Sequence, residues 1–113
     1  MAAAEAGGYT SDFDLATYFL HDVPAEVLAS GGEGHDRPEA DIAFGQPCDI
    51  GSWPDVETRV LAGRDDRFFP VSFQARVARD RLGLEAEVIL GGHLAALAYP
   101  GGLADRLSAV VSV

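Results

Sequence analysis

The chain has 113 residues, with 18 acidic side chains against 8 basic ones, a formal net charge of -10 and no lysine. That length allows one small domain and not two, and an acid excess without a basic stripe argues against nucleic acid or an anionic membrane as partner, because phosphate recognition needs clustered Lys and Arg. A hydrophobic share of 48% belongs to chains that build a core, not to those that stay disordered.

Residues 1–10 are small and glycine-rich, which predicts a frayed start. The acid Glu5 stands where a signal peptide would carry a basic and then an apolar region. With only short apolar runs downstream, the expectation is a soluble cytoplasmic protein. Phe13, Tyr18, Phe19 and Leu20, then Pro24 through Leu28, predict two short helical pieces. Pro24 suits a first helical position, and Asp22 lies nearby to accept backbone N–H bonds. Gly31, Gly32 and Gly34 stop the second piece, and the stretch to Pro54 is broken by Pro38, Gly45, Pro47 and Gly51. It reads as a lid or surface excursion.

After Pro54 the pattern changes. Thr58–Ala62 is a β-prone run ending at Gly63, and Glu85–Leu90 is another ending at Gly91. Phe73, Val77 and Leu82 recur between them at helical spacing, with Gly83 as the stop. This is a strand, helix, strand unit of α/β class with a parallel crossover. A last helix is expected from near Gly101, with Leu103, Leu107, Val110 and Val111 on one face. Residues 1–54 thus form a disordered start plus cap-like or lid-like helices and a loop, and residues 55–113 a core segment. Two parallel strands make a poor free-standing sheet, since such sheets are normally covered on both faces and have several neighbours.

In open α/β sheets the reactive groups sit beyond the carboxyl ends of the strands, where Asp65, Asp66 and His93 fall. A carboxylate that holds a histidine fixes its tautomer and stabilises the imidazolium, which frees the other ring nitrogen to take a proton from a serine. Asp66 also suits a cap of the helix beginning near Pro70, and His93, after two glycines, a loop histidine bonded to backbone. The single Cys48 excludes an internal disulfide, and its acidic neighbour Asp49 disfavours a thiolate. His21 and His35 lack metal-ligand spacing and read as surface or cap residues, so no metal and no cofactor is assigned. Tyr18, Phe19, Leu20 and Trp53 suit core packing, with an acyl or alkyl pocket as the alternative. Arg64 and Arg67 are expected to pair with nearby acids.

From about Tyr18 to Leu107 the sequence resembles the C-terminal half of an α/β-hydrolase. Gly63-x-x-Asp66-x-x-x-Pro70 resembles the family's acid loop, and Gly92-His93 with Tyr99-Pro100 and Leu103-Ala104 resembles its histidine loop and last helix. By position the resemblance implies Asp66, not Asp65, as the triad acid and His93 as its histidine. It also implies a partial α/β-hydrolase fold with a helical cap remnant, and a small-molecule ester or amide substrate once an N-terminal half is supplied. No serine stands in the Gly-x-Ser-x-Gly turn that exposes a nucleophile. The chain alone is therefore expected to be inactive. A non-catalytic binding or complementation module, pairing its open sheet edge with a partner chain, is the alternative, with a degenerate remnant as a third reading.

Overall fold

The computed structural model describes residues 2–9, 12–31 and 38–111. In chain order these form α1 (Ala2–Ala6), α2 (Leu15–Tyr18), α3 (Ala25–Ser30), α4 (Ile42–Gly45), β1 (Val60–Gly63), α5 (Val71–Leu82), β2 (Ala86–Ile89), α6 (Ala95–Ala98) and α7 (Pro100–Val111). The class is mixed α/β: helices around a two-stranded parallel sheet. Among the described residues no helix is long and apolar enough to cross a membrane.

The strand, helix, strand unit carries the site. β1 and β2 pair in the register Val60↔Ala86 to Gly63↔Ile89. Two bonds prolong the pairing past the strand ends: Arg64 N donates to Ile89 O at 2.8 Å and Asp65 N to Gly91 O at 3.0 Å. Those bonds tie the loops after the two strands together by backbone before any side chain is considered. α5 packs against both strands, and Ala62 of β1 and Ala78 of α5 are buried. Small residues on both surfaces let helix and sheet approach closely. Arg59, just before β1, grips Glu87 of β2 through two bonds of 2.8 and 2.7 Å.

Both ends of α5 follow from local chemistry. Pro70 precedes it with φ -52°, a conformation proline favours, and the missing proline N–H would have lacked a helical partner anyway. Gly83 takes φ +65°, the left-handed geometry that residues with a Cβ adopt only at a cost. Its N–H bonds Arg79 O at 3.0 Å, and Leu84 N bonds Ala78 O at 3.3 Å, so two carbonyls of the final turns are engaged. Phe73 of the expected stripe is half-buried and Val77 is 38% exposed, while Ala78 is the buried residue of α5.

Two expectations need correction. Residues 2–6 form α1, with Ala4 fully buried, instead of a frayed start. A five-residue helix does not nucleate alone. Alanine's high helix propensity helps it, and Tyr9 anchors its C-terminal end by meeting the Tyr18 ring edge-on at 6.1 Å. The 38–54 part of the lid stretch contains the short helix α4. The last helix falls where expected, as α7 from Pro100, with Leu103 half-buried and Leu107, Val110 and Val111 exposed.

Candidate functional site

The chain leaves β1 at Gly63 and turns at once, with Asp66 N bonded to Gly63 O at 3.3 Å. Asp66 then uses its two oxygens differently. Oδ1 accepts from Phe68 N at 2.8 Å and Phe69 N at 2.9 Å, a local closure characteristic of aspartate in turns. Oδ2 lies 3.0 Å from His93 Nδ1. The carboxylate side chain is 8% exposed and the imidazole 21%. Asp66 does not cap α5: its bonds end at residues 68 and 69, and Pro70 opens the helix without a side-chain cap.

His93 arrives from the other strand. Gly91, at φ +115°, reverses the chain after β2. Gly92 is buried against β1's end, where a Cβ on Gly63 would meet Gly92 O at 2.7 Å and Gly91 O at 2.8 Å. That backbone approach carries His93 onto the acid loop. Phe19 stacks on the imidazole at 4.0 Å and 13° between planes, and the Phe68 ring stands edge-on at 5.5 Å. An ionised carboxylate only accepts hydrogen bonds, so Nδ1 holds the proton and Nε2 of the neutral ring carries the lone pair. Such a ring can act as a general base.

Asp65 takes another direction. Arg64 meets it side-on through two 3.0 Å bonds, and this hydrogen bonding holds the Asp65 carboxyl below the usual carboxylate range. Arg67 does not pair with an acid in the contacts observed. Its Nη1 donates to Thr17 O at 3.3 Å and its guanidinium lies 5.9 Å from the centre of the Tyr9 ring.

Two further residues stand close to the site: His21, and Asp22, expected to accept N–H bonds near Pro24, although α3 has no side-chain cap. His21 is half-buried, and its Nε2 is buried without a protein partner, as is Oδ1 of Asp22. Oδ2 of Asp22 accepts from Gly92 N at 2.6 Å. Sequence reasoning missed this bond because it spans 70 residues, and no local pattern marks an aspartate for it. Tyr18 is fully buried core, while Trp53 is half exposed and donates from Nε1 to Thr58 Oγ1 at 2.9 Å. Leu20 is half-buried and Cys48 exposed. His35 lies outside the described residues.

The geometry is thus that of an acid and a histidine presented by adjacent parallel strands. No family model, curated protein or solved structure matches this chain. Among the described residues no group of three or more His, Cys, Asp or Glu is placed to hold a metal ion. Ser30 donates to Val27 O at 2.8 Å within α3, Ser72 lies in the first turn of α5 and Ser108 in α7. None of these occupies a strand-to-helix turn flanked by glycines.

Proposed function

We propose that this chain carries the acid and the base of an α/β-hydrolase centre that cleaves an ester, amide or similar bond. Asp66 orients His93, and His93 removes the proton from a serine supplied by an N-terminal portion of the fold. The observation that supports this most is the 3.0 Å pairing of Asp66 Oδ2 with His93 Nδ1, with the other Asp66 oxygen engaged by two backbone N–H groups. A carboxylate so engaged cannot swing away from the ring. In the proposed cycle His93 Nε2 accepts the serine proton as the hydroxyl attacks the carbonyl, then returns it to the leaving group. The covalent nucleophile and the oxyanion donors, which supply much of the acceleration in acyl transfer, come from the N-terminal portion, so the 113-residue chain has no turnover of its own.

The test is to read the coding DNA upstream of Met1 for an in-frame Gly-x-Ser-x-Gly and to express the completed protein against a p-nitrophenyl ester. In that protein Asp66→Asn should lower kcat by about 10⁴-fold, as loss of the orienting carboxylate does in serine proteases. His93→Ala should cost on the order of 10⁶-fold. Asp65→Asn should change kcat by no more than about threefold, because rim ion pairs contribute little. Full activity in His93→Ala would end this reading. A larger effect at Asp65 than at Asp66 would move the acid by one residue.

A second reading is a complementation module without its own chemistry. Val88 and Leu90, on and beside β2, are 47% and 52% exposed, and each strand of a two-stranded sheet has an open edge. A partner chain that adds strands would cover them. Stable association with one definite polypeptide, and no hydrolysis by the pair, would favour this reading.

A further inference from the structure

We propose that Asp22 is the positioning residue of His93, acting through the amide of Gly92. For its catalytic consequence this rests on the reading of His93 as the base; for its geometry it does not. β2 ends at Ile89, so beyond it the Gly91-Gly92 segment has lost its regular ladder. Its carbonyl side is held by Asp65 N on Gly91 O at 3.0 Å. Its N–H side is held by Asp22 Oδ2, which accepts from Gly92 N at 2.6 Å, the short length expected of a charged acceptor.

The same carboxylate shapes the space around Gly92. A Cβ there would meet His21 Nε2 at 2.8 Å and Asp22 Oδ1 at 2.9 Å, while Gly63 leans on the Gly91 and Gly92 carbonyls from the direction of β1. The peptide before His93 is thus bounded by β1 on one side and by His21 and Asp22 on the other. Oδ1 of Asp22 is buried with no protein partner, an unfavourable placement for a carboxylate oxygen. The group is kept there by what Oδ2 does. With Asp22 removed, the Gly92 N–H loses its acceptor and the peptide is anchored on its carbonyl side alone, by Asp65 N on Gly91 O, so it can tilt about that bond and shift the imidazole off Asp66 Oδ2 while leaving Asp66 bound to Phe68 N and Phe69 N.

The experiment is ¹⁵N NMR on the 113-residue chain, following the His93 Nδ1–H proton and the hydrogen exchange of the Gly92 amide, with α5 amides as the internal control. Asp66→Ala assigns the Nδ1–H resonance by abolishing it. Asp22→Ala should abolish it too and speed Gly92 exchange at least about tenfold, the loss expected for a charged hydrogen bond, while α5 protection stays at the wild-type level. Asp22→Asn, whose amide oxygen still accepts, should keep the resonance, with Gly92 exchange a few-fold faster. Retention of both the resonance and Gly92 protection in Asp22→Ala overturns the proposal. Loss of the resonance in Asp22→Asn with α5 intact also overturns it. If Asp22→Ala loses α5 protection as well, Asp22→Asn decides alone: a few-fold faster exchange with the resonance kept supports the role, and exchange at the wild-type rate overturns it. No arm depends on turnover, so the positioning role and the hydrolase reading fail independently.

Discussion

A methyl group added at Gly63 would stand 2.7 and 2.8 Å from two backbone carbonyl oxygens, and neither oxygen belongs to a flexible side chain that could yield. Gly63→Ala should therefore push the two loops apart and cost about 1–3 kcal/mol, as overpacking of a close contact does. Urea unfolding of the variant checks this, and the 3.0 Å pairing of Asp66 with His93 should weaken along with stability, because the loops so displaced carry those two residues. Charge at the same end of the sheet acts more weakly. Arg64 depresses the Asp65 carboxyl, so the pair stabilises the fold above the unfolded aspartate value and the contribution is lost as pH falls through the lower, folded value. Arg64→Gln should thus be slightly less stable than wild type at neutral pH, with the deficit closing on acidification below about pH 4. The pair is well exposed, which keeps the difference small. Parallel urea titrations at several pH values would reveal a deficit of the wrong sign.

At the level of elements, helices and strands end where backbone geometry demands it. Gly83 closes α5 at φ +65° with nothing within 4 Å of where a Cβ would lie. Gly83→Ala should accordingly cost about 1–2 kcal/mol, from the left-handed backbone alone, and denaturant melting would measure it free of steric complication. α2 has four residues, too few to persist alone. It is held by Asp14, whose Oδ2 accepts from Thr17 N at 2.8 Å, and by the rings of Tyr18 and Phe19 packed on Phe68. Asp14→Ala should lower stability by about 0.5–2 kcal/mol, again by urea melts. Gly83, Gly63 and Gly91 are legible as stops because turn chemistry depends on one or two residues. The short helices α1, α4 and α6 are not, because elements of four or five residues owe their existence to what they pack against.

The molecule as a whole is under-buried. Its accessible surface is 8478 Å², where a compact monomer of this mass exposes roughly 5,900 Å². Its radius of gyration is 16.0 Å, against about 13 Å for a compact domain of this length. Among the described residues the buried apolar side chains are few and mostly small: Ala4, Tyr18, Val23, Ala62 and Ala78. Large apolar side chains such as Phe44, Ile42 and Val111 are more than two-thirds exposed. Such surface favours association. The chain should enhance the fluorescence of an apolar dye and sediment with a concentration-dependent mass. A dye-silent monomer at all concentrations would contradict this.

Periodicity and turn residues act over a few positions, so the order of amino acids is enough to specify the strand, helix, strand unit, its glycine stops, and the delivery of Asp66 and His93 just beyond the two strands. Their spacing of 27 residues is set by that unit and needs no knowledge of the rest. It took the folded chain to show how the two Asp66 oxygens divide between loop and imidazole, that Phe19 covers the ring, and that Asp22 holds Gly92 from 70 residues away. Contacts of that range depend on the path of the whole chain through space, and no local pattern of residues encodes them.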